Sequence, residues 1–246
     1  MIVAIDGPAG TGKGTIASLI SKRLGYTYID TGAMYRSVAL KMLNEGIGID
    51  SDIKIIKDLL ERTKIEFMNI NDKQHVFLDD KDVTDEIRTP KVNDVVSQVS
   101  AIKEIRIKMV DLQRELGNET NVVMEGRDIT TVVFPNADIK IYLTATSEER
   151  ATRRYKELIA KGIETTYEET LEKIKARDEN DMKKEMGALK IAEDAIVIDS
   201  TNLNIEEVYE KIASIITDKA LENVSEEAKE LDVQINIDDN EETNEN

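Results

Sequence analysis

Residues 2–15 read Ile2-Val3-Ala4-Ile5-Asp6-Gly7-Pro8-Ala9-Gly10-Thr11-Gly12-Lys13-Gly14-Thr15. The first five form a short apolar run of the length of a buried strand, and a helix-like stretch opens at the lysine and continues through Leu24. Between them, Gly7-x4-Gly12-Lys13 has the spacing of a phosphate-binding loop. Glycines let successive backbone N–H groups turn toward a phosphate chain, and the following helix adds its positive dipole end. Lys13 brings a point charge to the outer phosphates. The bare spacing arises by chance in about one chain in fifteen of this length, so its seat between a strand and a helix is what makes it specific. The hydroxyl residue usual directly after the lysine is replaced by Gly14, with Thr15 next. A magnesium contact then passes through water or moves to Thr15.

The alternation of short apolar runs and helical stretches continues along the chain. Strands are predicted at Tyr26–Asp30, Val122–Glu125, Ile139–Thr144 and Ala195–Asp199, with helices over Ala33–Asn44, Ser51–Arg62, Val92–Ser100, Lys103–Leu116, Ser147–Ala160, Tyr167–Lys184 and Ile205–Ala220. Ile65–Asn69 and Gln74–Leu78, separated by a turn containing Asn71-Asp72, read as a hairpin, with a third short strand at Lys81–Val83. Strand–helix alternation predicts an α/β fold: a central parallel sheet flanked by helices, with ligands outside the carboxyl ends of the strands. The hairpin and the third strand would form a small antiparallel sheet.

The chain has 246 residues, 33 Lys and Arg against 50 Asp and Glu, one His and no Cys. That length supports one large α/β domain or two small ones. Without cysteine there are no disulfides, no thiolate metal sites and no cysteine nucleophile, and a reducing, cytoplasmic setting is the natural expectation. The lone His75 removes any histidine-cluster metal site. No apolar run is long enough for a bilayer, and the N-terminus opens into MIVAID without a basic leader, so neither membrane span nor signal peptide is expected. A net charge of −17 excludes a nucleic-acid surface, which needs a basic face. The excess is uneven: residues 222–246 carry ten acids and one base, net −9, which leaves −8 for residues 1–221. This acidic tail is expected to be disordered, although Leu231, Val233, Ile235 and Ile237 alternate like a short strand.

Within the body, cations gather at the predicted strand ends. Asp30-Thr31-Gly32-Ala33-Met34-Tyr35-Arg36 follows the second strand, and Gly126-Arg127-Asp128 follows Val122–Glu125. Arg150, Arg153 and Arg154 share one helical face, as do Arg177, Asp181 and Lys184. Each has a plainer reading taken alone. The three arginines follow Glu148-Glu149 and could be a solvated face, Gly-Arg-Asp an ordinary turn, and Arg177-Asp181 a surface ion pair. Asp79-Asp80 and Asp238-Asp239 read as turn and tail acids, and His75 as structural. Ser200-Thr201-Asn202 is either a helix cap or the lining of a base pocket. Such a concentration of positive charge in an acidic chain points to two clustered polyphosphates.

Taken in order, IDGPAGTGKGT, YIDTGAMYR, SQVS, EGRDITTVVFPNADIKIYLTAT, SEERATRR, ARDENDMKK and IDST resemble the bacterial cytidylate kinases over residues 1 to about 220. The resemblance implies transfer of the ATP γ-phosphoryl group to CMP or dCMP with Mg²⁺, on a P-loop core with an enlarged region for the nucleoside monophosphate and a mobile lid. Residues 1–221 would form that domain, with the acceptor-binding insertion at about 36–110 and the lid at about 147–165. The resemblance places the ATP phosphates on Gly7 to Thr15 and the cytosine edge on Ser97, Arg106 and Asp128. It places the acceptor phosphate on Arg36 and Arg127, and the sugar on Arg177 and Asp181, with Asp30 and Thr31 shaping the same pocket. Arg150, Arg153 and Arg154 would cover the ATP, and Lys13, Arg127 and Lys184 would neutralise charge during transfer. Two positions depart from the family: its arginine seven residues after Arg177 is Lys184, and a proline soon after is Ala188. Lysine keeps the charge but loses the planar fork. The competing readings are a P-loop kinase for UMP or AMP, and an ATP-binding regulatory module whose acidic tail binds a partner. A monomer acting on small molecules, away from nucleic acid and membranes, is expected.

Overall fold

The computed structural model describes residues 1–71, 73–118 and 121–242, from 226 onward as backbone only. In chain order the elements are β1 (Ile2–Asp6), α1 (Lys13–Leu24), β2 (Thr27–Asp30), α2 (Thr31–Asn44), α3 (Ile53–Glu61), β3 (Ile65–Ile70), β4 (Lys73–Leu78), β5 (Lys81–Asp82), α4 (Pro90–Val99), α5 (Lys103–Gly117), β6 (Val122–Gly126), β7 (Ile139–Thr144), α6 (Ser147–Ala160), α7 (Tyr167–Lys183), β8 (Ile196–Asp199) and α8 (Ile205–Glu242). A 3₁₀ turn at Glu86–Arg88 and a π-helical turn at Ile129–Val133 interrupt the connections.

Five parallel strands form the central sheet in the order β2-β6-β1-β7-β8. The register aligns their carboxyl ends: Asp6 pairs with Gly126 and Tyr142, Asp30 with Glu125, and Thr144 with Asp199. Strand alternation explains how one sheet feeds two cores. Ala4, Ile29, Val122 and Met124 face one way, into a cluster with Met34, Val38, Leu59, Ile87 and Met109 from the helical side that carries the insertion. Val3, Ile5, Val123, Ile141 and Leu143 face the other way, against Ile16 and Ile20 of α1 and Val208, Ile212 and Ile216 of α8. Both faces of the sheet are thereby covered, which is the condition a parallel sheet requires.

The small sheet is separate, in the order β3-β4-β5, with β3 and β4 antiparallel from Ile65 opposite Leu78 to Ile70 opposite Lys73. Asn71 takes a positive φ of 50°, which asparagine tolerates, while Asp72 lies outside the described residues. The third strand is two residues long, yet Val83 N–H still donates to Val76 O at 2.9 Å. Gln74 Nε2 donates to Tyr28 O at 2.6 Å and fastens this sheet to the end strand of the core.

The C-terminal segment departs from expectation. The last helix does not end near Ala220 but runs to Glu242, through the stretch read as a disordered tail with a strand-like alternation. After Gly187 the sequence contains no Gly or Pro, so nothing in the backbone chemistry stops the helix. The side chains of Leu231, Val233, Ile235 and Ile237 lie outside the described residues. Among the described residues, no helix is long and apolar enough to cross a membrane.

Candidate active site

The loop after β1 is built so that only glycine fits its first position. Gly7 has φ +149°, and a Cβ there would stand 2.0 Å from Leu143 O. This close approach presses the loop against the end of β7. Lys13, at the start of α1, is 4% exposed and folds back so that Nζ donates to Pro8 O at 2.8 Å. Burial first, then the positive charge of Arg127, push the Lys13 ammonium down to about 7. Thr11 is buried, while Thr15 is exposed on the outer turn. The space a side chain at Gly14 would occupy faces Glu125: a Cβ would lie 3.2 Å from Glu125 Oε1. A carboxylate and a hydroxyl beside the loop supply hard oxygen donors, which suits a magnesium ion that keeps water and phosphate in most of its sites.

The strand ends supply the next layer. Asp6, fully buried, accepts from Ile129 N at 3.0 Å, Thr130 N at 2.7 Å and Thr130 Oγ1 at 2.6 Å, so it holds the π-helical turn against β1. Burial raises its carboxyl above the ordinary range despite those bonds. Asp30 caps α2 by accepting from Ala33 N at 2.9 Å and lies 3.3 Å from Arg88 and 4.0 Å from Arg36. Thr31 Oγ1 donates to Glu125 O at 2.8 Å. Burial, and then Asp30, raise the Glu125 carboxyl, while Lys13, Arg127 and Arg36 oppose the shift.

Opposite the loop, α4, α5, α7 and the turn after β6 meet. Arg127 Nε donates to Asp181 Oδ2 at 2.9 Å, and Lys184 Nζ donates to Asp181 Oδ1 at 2.8 Å. Although burial acts against it, the charges of Arg127 and Lys184 hold the Asp181 carboxyl down to about 2. Lys184 stands one residue past the end of α7 and also reaches Ser100 Oγ at 3.2 Å. Burial, and then the charge of Arg127, lower Arg177 to about 10. Arg106, 3% exposed, pairs with Asp128, donates to Ser100 O at 3.3 Å and lies 5.6 Å from the centre of the Tyr35 ring. Its Nε has no partner among the described residues.

The structure brings Gly7 to Thr15, Arg127, Asp128, Arg106, Asp181 and Lys184 to one end of the sheet, but it separates the three arginines of α6. Arg150 is 4% exposed; it donates to Ala145 O at 3.0 Å and Ala9 O at 3.1 Å and binds Asp178 at 2.6 and 3.1 Å. It ties the phosphate loop to α7. Arg153 donates to Ser200 O at 2.7 Å and pairs with Glu149 at 3.0 Å, and Arg154 pairs with Glu157 at 2.8 Å. A shared helical face therefore does not give the three arginines shared partners: backbone carbonyls bind the first two. The Ser97 carbonyl accepts from Ser100 Oγ at 2.9 Å, and Ser100 in turn accepts from Arg106 and Lys184. Ser200 is buried and donates to Thr144 O at 3.0 Å, while the cap of α8 is Asn204, which exchanges bonds with Glu207 at 2.8 and 3.0 Å. His75 pairs with Asp82 at 2.7 Å in the small sheet, as a structural residue would. Sequence reasoning missed Asp6, Glu125, Ser100, Asp178 and Arg88. The first two carry a readable signal, a carboxylate ending or closing an apolar strand.

Fold and site together define a P-loop phosphotransferase. The family model described as cytidylate kinase matches residues 3–218, and the chain belongs to the cytidylate kinase family. Among its relatives, the cytidylate kinase of Caldicellulosiruptor saccharolyticus is 52% identical over 213 residues, covering 87% of this chain and 94% of that one. The cytidylate kinase of Carboxydothermus hydrogenoformans is 49% identical over 216 residues, covering 88% and 97%. That of Clostridioides difficile is 47% identical over 216 residues, covering 88% and 98%.

Proposed function

We propose that the chain transfers the γ-phosphoryl group of ATP to CMP or dCMP, giving ADP and CDP or dCDP. The observation that carries this reading is the group of buried cations Lys13, Arg127 and Arg177, where burial first and then the charge of Arg127 lower the proton affinity of both Lys13 and Arg177. Several positive charges kept out of water at one end of the sheet call for a polyanion.

Gly7 to Thr15 and Lys13 hold the ATP phosphates, with Arg150, Arg153 and Arg154 of α6 in the lid region over the ATP. Arg36 and Arg127 grip the acceptor phosphate, where guanidinium forks match phosphate oxygens. Arg177 and Asp181 orient the sugar, beside Asp30 and Thr31. Asp128 and Arg106 read the cytosine edge with help from the Ser97–Ser100 turn: an ionised carboxylate accepts from an exocyclic amino group, which uracil lacks. An oxygen of the acceptor phosphate attacks the γ-phosphorus in line; a bond forms there as the bond to the β-bridging oxygen breaks. That oxygen is already ionised at neutral pH, so no strong general base is required. Lys13, Arg127 and Lys184 neutralise the charge that develops. Thr15 and Glu125 would hold the Mg²⁺ that accompanies ATP, directly or through water, and the ion would supply charge that polarises the phosphoryl oxygens. Closure of the lid, about 147–165, excludes water and suppresses hydrolysis.

Both substrate sides come from one chain, so a monomer suffices, and the substrates are cytoplasmic metabolites rather than nucleic acid or lipid. A coupled assay of ADP formation with CMP, dCMP, UMP and AMP tests the reading. The expected result is strong turnover with CMP and dCMP; preference for AMP, or ATP binding without CMP-stimulated ADP release, would overturn it.

A further inference from the structure

Beyond α7 the chain makes an unusual approach to the Arg106–Asp128 pair. Lys184 leaves the helix with an extended backbone, φ −56° and ψ 133°. Leu189, 6% exposed, donates its N–H to Asp181 O at 2.8 Å. Both ends of segment 184–189 are thus tied to Asp181, the near end through the Lys184 ammonium. At its centre, Gly187 has φ +68°, and a Cβ there would stand 1.9 Å from Arg106 Nη2, 2.2 Å from Arg106 Cζ and 2.5 Å from Asp128 Oδ2. The backbone itself is a wall against the ion pair, at a distance no side chain permits.

We infer that Gly187 is a specificity-determining position for the nucleobase: its bare backbone seats Arg106 on Asp128 and shuts water away from the carboxylate that meets the base edge. This rests on the reading that Asp128 and Arg106 recognise cytosine. The consequence is chemical. A carboxylate in water compensates cheaply for a base without a proton to donate, because solvent supplies one. A carboxylate walled by backbone has no such substitute, and an apposed carbonyl oxygen leaves the oxygen that Arg106 does not take facing another acceptor. Uracil, with oxygen where cytosine has an amino group, is rejected through that missing proton. A methyl group at 187 would press on the guanidinium tip and the carboxylate, both side-chain ends that can move. The chain can then fold while the pair comes apart and water enters.

The test measures kcat/KM for CMP and UMP, with KM for ATP alongside, in Gly187→Ala, Asp128→Asn and Ala188→Gly. For Gly187→Ala the CMP-to-UMP ratio should fall by about 10-fold or more, the scale of one base-edge contact, with KM for ATP unchanged. Ala188→Gly, which adds no side chain, should keep the parental ratio. A ratio unchanged in Gly187→Ala but lowered in Asp128→Asn would overturn the role of Gly187 alone. A ratio unchanged in Asp128→Asn would overturn the base-reading assignment and this inference with it. Equal losses for both nucleotides together with a raised KM for ATP would mark a general structural lesion and overturn it as well. Gly187→Asn separates crowding from backbone strain, because asparagine accepts positive φ; collapse of the unfolding midpoint in both variants would make residue 187 a folding determinant, against the proposal.

Discussion

Lys13 is the residue at which burial and function meet most directly. Among protein groups, desolvation and Arg127 hold its ammonium down to about 7. A phosphate alongside restores the proton, so ATP binding above that value takes up a proton and weakens as pH rises. ATP affinity is therefore expected to fall between about pH 7.5 and 9, by less than tenfold per unit. Calorimetry in buffers of different ionisation enthalpy should register the uptake. Lys13→Met should bind ATP more weakly and lose the proton uptake, and a pH-independent affinity in the parent chain would contradict the assignment. Asp181 is the opposite case. Its carboxyl is held at about 2 by Arg127 and Lys184, so whatever it contributes is present above the ordinary aspartate range and goes only as pH falls through that low value.

Between elements, the decisive links are hydrogen bonds that cross the sequence. Arg150 of α6 joins Ala9 O in the phosphate loop to Asp178 of α7, with side-chain exposures of 5% and 14% for the pair. Removing one partner strands a buried charge, so Asp178→Asn should lower stability by about 3 kcal/mol. It should also raise KM for ATP several-fold, while the CMP-to-UMP ratio stays constant. Chemical denaturation and steady-state kinetics check the two halves of this expectation. The same links show which features were legible in the sequence. The strand, loop and helix at residues 2–24 could be read because the motif is local and each apolar run has its own period. Arg127, Asp128 and Asp181 could be read because strand ends and helical faces follow from spacing. Spacing does not reveal partners. Nothing local shows that Asp6 binds the backbone of residues 129 and 130, that Arg150 reaches Ala9 O and Asp178, or that Ser100 faces Lys184. The end of α8 is not legible from spacing, because acidic composition argues for disorder while the lack of Gly and Pro leaves helix open to the backbone.

Over the whole molecule, the core of α8 ends early. Val208, Tyr209, Ile212 and Ile216 are its buried contacts with the sheet, whereas Leu221 and Val224 are each 64% exposed. A chain ending at residue 221 is expected to keep its melting temperature within about 2 °C, since surface changes away from packed features move stability little. Its kcat should stay unchanged, and loss of turnover on truncation would show that the terminal segment reaches the site. The truncation would nevertheless remove −9 of a net −17. Nucleotides are anions, so at a distance this molecule repels the substrates it holds at close range, and beyond the Debye length of about 8 Å at physiological salt that repulsion is screened. Removing the acidic segment is therefore expected to raise the association rate of ATP at low salt, with the difference shrinking as ionic strength rises, which stopped-flow binding across a salt series checks.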